Sequence, residues 1–434
     1  MVIFQRFRHL FREGLWIVIG QVMLVVGSLL GVRLLTGLLD PAAYGELALA
    51  MTLATLVNQT VLGPLAQGVM RFYAPAVEQA DLGGYLNAVR RMTILATGVL
   101  VSATAVGLCG LAIAGKSDWM GITIAAIVFA IVNSYSSIVS GIQTAARQRS
   151  IVALHQGLEP LARFLFAALL IVSFGATSTV TAIGYSIGII LLLGSQFIFF
   201  LKIIPKDTKW TSSGKTLQQQ IWDYSWPFSI WGSFYWLQSS ADRWALGLFA
   251  TTEEIGLYAV LFQLGYYPMS MATGMAVQLI TPIFYQRAGD GTNAQRNAEV
   301  HKLSWLLTKL SLGVTAASFV VAALLHTQVF EVFVTKQYRS VSSLLPWIVL
   351  SGGLFAAGQT ISLNLMSQMK TQKIMKAKIT TSVLSVMFTF AGAYWYDTTG
   401  IVIASILASL VYLLLMILLQ QREIGSIEHR ENSS

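Results

Sequence analysis

The chain has 434 residues, of which 55% are hydrophobic and only 11% charged, and its mean hydropathy is +0.66. Soluble domains carry about 25% charged residues, so water is excluded as the main solvent, and a net charge of +9 does not here point to nucleic acid. A single cysteine, Cys109, and five scattered histidines exclude a disulfide framework and a Cys/His metal centre.

Apolar stretches of the roughly 20 residues needed to cross a bilayer recur along the whole chain. They are long and do not alternate, which predicts helices rather than barrel strands. Twelve spans are expected, near 14–38, 43–66, 87–114, 119–143, 151–174, 180–203, 222–249, 255–282, 303–326, 341–366, 374–396 and 400–420. The first follows a basic amphipathic start and is too long for the apolar core of a signal peptide, so it is read as a helix of the mature protein. The longest polar stretches, 204–221 and 283–302, cannot hold a domain. The first separates six spans from six. The expected organisation is a six-helix bundle at 1–203, a cytoplasmic linker at 204–221 and a second six-helix bundle at 222–434 ending in a short cytoplasmic tail.

Lysine and arginine set the expected orientation. With the N-terminus inside, 21 of the 28 basic residues fall in cytoplasmic segments, and the outer loops keep only Lys116, Lys336 and Arg339. That bias predicts both termini in the cytoplasm and an even number of spans. The two halves also echo each other: Arg33 is followed by LLTGLLDPAAYGELA, and Arg243 by WALGLFATTEEIGLYA. With one inserted residue, Gly45 aligns with Gly256 and Ala48 with Ala259. The shared residue types are common ones, so duplication and coincidence both account for the echo.

An ionised side chain at the bilayer centre costs about 2.5–3.5 kcal/mol, so one found there is expected to face protein or water. His155, Glu159 and Arg163 recur at i, i+4 and i+8 in the fifth span, on one helical face. They form either an ion pair that locks packing or the lining of a cavity. Arg33 and Arg243 lie five or six residues from the outer ends of their spans and either line a cavity or snorkel to the interface. Asp242 adjoins Arg243. Successive residues diverge around a helix, so Asp242 is expected to need another partner or a proton. Lys309 reads as a snorkelling lysine. In WDYSWPFSIWGSFYW (222–236), Trp222, Tyr224 and Trp226 fit an interfacial belt. Trp231 and Tyr235, deeper and four residues apart, suit either sugar stacking or packing. No catalytic motif survives inspection. SSGKT (212–216) ends like a phosphate-binding loop, but Lys209 stands where its leading glycine belongs. No enzymatic activity is expected.

Two segments carry a family resemblance. GQVMLVVGSLLGVRLLTGLLDPAAYGELALA (20–50) has an Arg, a Leu pair, a Pro and then Tyr-Gly; YSWPFSIWGSFYWLQSSADRWALGLFATTEEIGLYAVLFQL (224–264) has Ser-x-Pro, Asp-Arg and Gly-x-Tyr. TKQYRSVSSLLPWIVL (335–350) fits a weaker third landmark. Together they resemble the polysaccharide transporter (Wzx-type O-antigen flippase) family of the multidrug/oligosaccharidyl-lipid/polysaccharide (MOP) exporter superfamily, over the whole length.

The resemblance implies two six-helix bundles around a central hydrophilic cleft. Alternating access would carry the glycan of an undecaprenyl-diphosphate-linked oligosaccharide across the bacterial inner membrane, its tail staying in membrane lipid, for O-antigen, capsule or exopolysaccharide assembly. Motif position puts Arg33, Asp242 and Arg243 at that cleft, and the cost of burial adds Glu159 and Arg163. Glu159 or Asp242 would take up a coupling H+ or Na+, no other cofactor being implied. A polysaccharide polymerase and a chain-length regulator are the implied protein partners. The alternatives are an ion-coupled multidrug antiporter of the same superfamily, which needs an acidic cavity, and a membrane glycan polymerase or ligase, which needs a larger outer loop.

Overall fold

The computed structural model describes residues 2–205, 215–289, 294–368 and 370–431, with side chains at 16, 18–205, 216–277, 279–281, 283–289, 295–368, 370 and 372–422. Most of the expected linker (206–214), and the side chains of Arg6, Arg8, Arg12, Lys215 and Arg430 used for orientation, lie outside the described residues. Among those described, the chain is helical almost throughout and has no strand.

Twelve helices follow in order. They are α1 Val2–Leu38, α2 Pro41–Glu78, α3 Leu82–Ile113, α4 Asp118–Ala145, α5 Arg149–Phe174 and α6 Ser178–Leu201. Then come α7 Lys215–Phe249, α8 Thr252–Ala288, α9 Ala294–Phe333 and α10 Leu345–Ser367, the last entered through a 3-10 turn at Lys336–Leu344. Thr371–Glu431 holds the last two, α11 before and α12 after a break at Tyr396 and Asp397. All twelve expected spans lie in these helices to within a few residues. The helices overrun them, α9 most, because hydropathy marks only the part suited to lipid while backbone hydrogen bonding carries a helix on into water. Among the described residues nine stretches are long and apolar enough to cross a membrane, and one of them, Gln372–Arg422, contains the break and so two helices. The chain is a multi-pass membrane protein. α7 and α8 are not among the nine, their windows being diluted by Gln, Ser, Tyr and charged residues.

The chain divides into two compact units, Met1–Trp236 and Leu237–Ser434, with the division inside α7. In unit 1, α1 packs on α5, and α6 on α4 and α5, through small residues. Gly20 meets Ala153, Gly27 meets Pro160 and Leu161, and Gly31 meets Phe164. Lipid offers no hydrophobic drive between helices, so close backbone approach through small side chains supplies the attraction. α2 passes through a π-helical turn at Asn58–Leu62. Gly232 of α7 comes so close to the Gln59 carbonyl there that a Cβ would stand 1.8 Å from it. Trp236 Nε1 donates to the Thr52 carbonyl at 2.7 Å, so the aromatic stretch of α7 lies along α2 within unit 1.

In unit 2, α10 is the central helix, packed on α8, α9 and the α11–α12 hairpin. Gly392 and Gly400 face each other across that hairpin, each where a Cβ would run into the other's carbonyl. Asp397 turns the chain at φ 46 and ψ −130.

Internal details match between the units. Asp40 caps α2 by accepting from the Ala43 amide at 2.7 Å, and Thr251 caps α8 by accepting from Glu254 at 3.3 Å. Counting back from Gly45 and Gly256, these two caps occupy the same aligned position. Gly45 and Gly256 are both buried, as are Tyr44 with Ile255 and Leu47 with Tyr258. A glutamate early in each helix also reaches the start of a later helix: Glu46 accepts from Ser178 of α6 at 2.7 Å, and Glu254 accepts from Thr398 of α12. The caps coincide in the alignment of Gly45 with Gly256, whereas the two glutamates fall at different aligned positions.

Candidate functional site

Among the described residues, each unit carries a partly or nearly buried charged pair. In unit 1 it stands on α5, where Pro160 interrupts the helical hydrogen bonding one turn before Arg163. Glu159 and Arg163 pair at 3.5 Å, the arginine side chain 23% and the glutamate 31% exposed. The guanidinium carbon also lies 4.8 Å from the Phe164 ring centre and 5.1 Å from that of Tyr185 on α6. Contacts of that kind are worth about 0.5–2 kcal/mol, more as water is removed. The arginine is therefore held by aromatic faces as well as by the ion pair, and its Nε has no hydrogen-bond partner. His155 does not join the pair. Its ring nitrogens face the Ile151 carbonyl at 2.8 Å and Ser195 of α6 at 3.3 Å. Arg33, in the last third of α1, is exposed.

In unit 2 the cluster stands on α7 and α8. One expectation is corrected here in part: Asp242 pairs with the adjacent residue, as well as meeting a partner on another helix. Arg243 folds back so that Nη1 sits 3.0 Å from Asp242 Oδ1 and 3.1 Å from Oδ2, and it also donates to the Ser239 carbonyl at 2.7 Å. The divergence of neighbouring Cβ atoms holds, but a guanidinium at the end of four bonds can turn back along its own helix. Both side chains are nearly buried, 15% exposed for Arg243 and 10% for Asp242. The Tyr258 phenol of α8 meets the same carboxylate and also Ser405 of α12.

Arg243 rests 4.7 Å from the ring centre of Phe262. Phe262 starts an aromatic ladder: it stacks on Tyr266 at 4.6 Å, Tyr266 approaches Phe355 at 6.4 Å, and Phe355 stacks on Tyr412 at 5.0 Å. Sequence reasoning passed over this ladder, although Tyr258, Phe262 and Tyr266 recur at i, i+4 and i+8. Trp231 and Tyr235, which suit either stacking or packing, lie in unit 1, Trp231 half-buried and Tyr235 exposed. Lys309, on α9, is exposed.

A second polar cluster in unit 1 was also missed. Gln196 of α6 is fully buried, accepts from Ser136 at 2.9 Å, and donates to Ser140 at 2.7 Å and Gln143 at 2.9 Å. Every polar group on that side chain is used, which suits a rigid joint between α4 and α6. Its uncharged residues raise no flag in a hydropathy profile.

No group of metal-ligating side chains is present among the described residues. No family model matches the sequence, and no curated protein matches it. Solved structures do match. An inward-facing multidrug resistance MATE family transporter of the MOP superfamily aligns with a TM-score of 0.68 and 15% identity, covering 96% of both chains. The lipid II flippase MurJ in an inward closed conformation aligns at 0.73 and 13% identity, over 94% of this chain and 87% of that one. A variant of the Vibrio cholerae MATE transporter VcmN aligns at 0.57 and 14% identity, over 96% and 97%. The chain has the fold of the MOP-superfamily transporters. At these identities the likeness is one of fold, and these neighbours are transporters and flippases rather than enzymes.

Proposed function

We propose that this protein is a flippase carrying undecaprenyl-diphosphate-linked oligosaccharide units from the cytoplasmic to the periplasmic side of a bacterial inner membrane, for O-antigen, capsule or exopolysaccharide assembly. The observation that carries this reading is the sign of the deep charges. Three arginines lie within helices, the nearly buried Arg243 of α7, the half-buried Arg163 of α5 and the exposed Arg33 of α1, against the two carboxylates Glu159 and Asp242. A diphosphate or an acidic sugar is attracted to such an excess and a cationic drug is repelled, which favours the flippase over the antiporter. Arg163 keeps an unused Nε–H that an anion could take. The lipid II flippase among the matched structures supports a lipid-linked substrate.

In this reading both termini are cytoplasmic, Glu159 and Asp242 are the carboxylates open to H+ or Na+, and a polymerase and chain-length regulator receive the product. Sugar rings can stack on Trp231 and Tyr235, or on the unit 2 ladder. The first experiment is a deletion strain of the source organism, complemented with the wild type, Arg163→Ala or Arg243→Ala. Complete lipid-linked units should accumulate on the cytoplasmic side in the deletion strain and in both variants, with surface polysaccharide lost. Units that reach the outer face unjoined would instead identify a polymerase or ligase. Normal glycan with new sensitivity to cationic dyes would identify the antiporter.

A further inference from the structure

Unit 2 contains a line of buried polar side chains that no sequence motif marks. It begins at Asp242, whose carboxylate meets Tyr258 and through it Ser405 of α12. Ser405, Ser409, Tyr412 and Gln420 lie at i, i+4, i+7 and i+15, on one face of α12. Ser409 hydrogen-bonds Ser351 of α10 at 3.1 Å. Tyr412 lies near Ser362 of α10 without a hydrogen bond between the two hydroxyls. Gln420 Nε2 contacts His301 Nδ1 of α9 at 2.5 Å. Beside that last stretch, Ser304 and Thr308 of α9 bond the carbonyl and hydroxyl of Thr360 at 3.4 and 2.7 Å. From Ser405 to Gln420 the line rises about 22 Å along the helix.

Two features separate this line from ordinary packing. Asn364, Ser362, Tyr412 and Gln420 are all 2% exposed or less. Yet the Asn364 Nδ2, Ser362 Oγ, Tyr412 hydroxyl and Gln420 Oε1 have no hydrogen-bond partner within the protein. These are four of the ten such atoms among the described residues, two on α10 and two on α12. A buried polar atom left unsatisfied costs about 1–3 kcal/mol, and clusters of them are where ordered water sits. By contrast the Gln196 joint in unit 1 is fully satisfied and needs none.

We propose that this line is a hydrated proton path joining Asp242 to His301, and that His301 is the point of exchange with the compartment at that end. The idea rests on the transporter reading and extends it by assigning the proton as the coupling ion and naming its route. Asp242 is faced by Arg243 from its own helix and by Tyr258 from α8, and Tyr258 is in turn faced by Ser405 from α12. His301 is faced by Trp305 of its own helix and by Gln420 of α12, with no carboxylate or second cation in ion-pair range among the described residues. A proton leaving Asp242 passes to a hydroxyl or water oxygen, which releases its own proton onward. At the far end the imidazole accepts one proton and gives one to bulk water. Gln420 can rotate its amide to accept from the charged ring, using the oxygen that is otherwise idle.

The test needs no glycan, so it stands or falls separately from the flippase assay. The full chain in liposomes at acid pH is switched to alkaline buffer while the infrared band of the protonated Asp242 carboxyl is followed, identified by its loss in Asp242→Asn. The expected result is that His301→Ala and Tyr412→Phe slow decay of the band at least tenfold and leave its starting size unchanged, while Ser233→Ala changes neither. Tyr412→Phe keeps the ring stacking, which guards against loss of fold, and thermal stability of each variant is measured alongside. Unchanged decay in both variants, or a carboxyl that never protonates, would overturn the proposal. Failure of the deletion-strain assay with this result intact would remove the glycan and keep the path.

Discussion

Gly184 of α6 meets Ala167 of α5 backbone to backbone: a Cβ at position 184 would stand 2.4 Å from the Ala167 Cα and 2.7 Å from its amide nitrogen. Neither atom can move without shifting a helix. Gly184→Ala should therefore lower the thermal midpoint in detergent substantially, by the equivalent of about 1–3 kcal/mol of overpacking. Gly107→Ala, in α3 with nothing within 4 Å, should change it little or raise it slightly, since alanine favours a helix by about 1 kcal/mol over glycine. Similar midpoints for the two variants would mean that α5 and α6 are not packed this closely.

The Asp242–Arg243 pair is nearly buried, so removing one partner strands the other. Arg243→Gln should cost about 3–5 kcal/mol, and the double change Asp242→Asn with Arg243→Gln should recover part of the loss. A thermal double-mutant cycle measures the coupling. Additive effects would show that the two side chains act independently.

Arg163 is held by two rings as well as by Glu159. Glu159→Gln should leave most glycan export, whereas Arg163→Lys should lose most of it while the protein still reaches the membrane, because a lysine cannot lie flat on Phe164 and Tyr185. Surface polysaccharide in the complemented deletion strain is the readout. Equal loss in both would make the ion pair the important feature.

Asp397 occupies backbone that a side chain strains, which costs about 1–3 kcal/mol. Asp397→Gly should raise the thermal midpoint and Asp397→Val should lower it. The reverse order would exclude the turn between α11 and α12.

Gln196 anchors three polar side chains of α4. Gln196→Leu would leave Ser136, Ser140 and Gln143 short of partners, so a loss of about 1–3 kcal/mol for each stranded group is expected, with limited recovery from water. A hydrophobic replacement that stabilises the protein would mean that the network is paid for elsewhere.

The sequence alone determined the class, the number and order of the helices, and the positions of the deep charges. Each follows from local cost: an apolar run of sufficient length has no cheap place outside lipid, and a charge within it stands out. The echo around Arg33 and Arg243 was also legible, and the matching caps at Asp40 and Thr251 gave it physical content. Only the tertiary structure decided which groups meet. It turned Arg243 back onto Asp242, sent His155 to α6 rather than to Glu159, and set the first part of α7 along α2. It also gathered uncharged side chains from α9, α10 and α12 into one line, and those from α4 and α6 into another. Serine, threonine, glutamine and tyrosine cost little to place in a helix, so their positions carry no warning in the sequence. Their energies are set by partners on other helices, and those partners are named only when the helices pack.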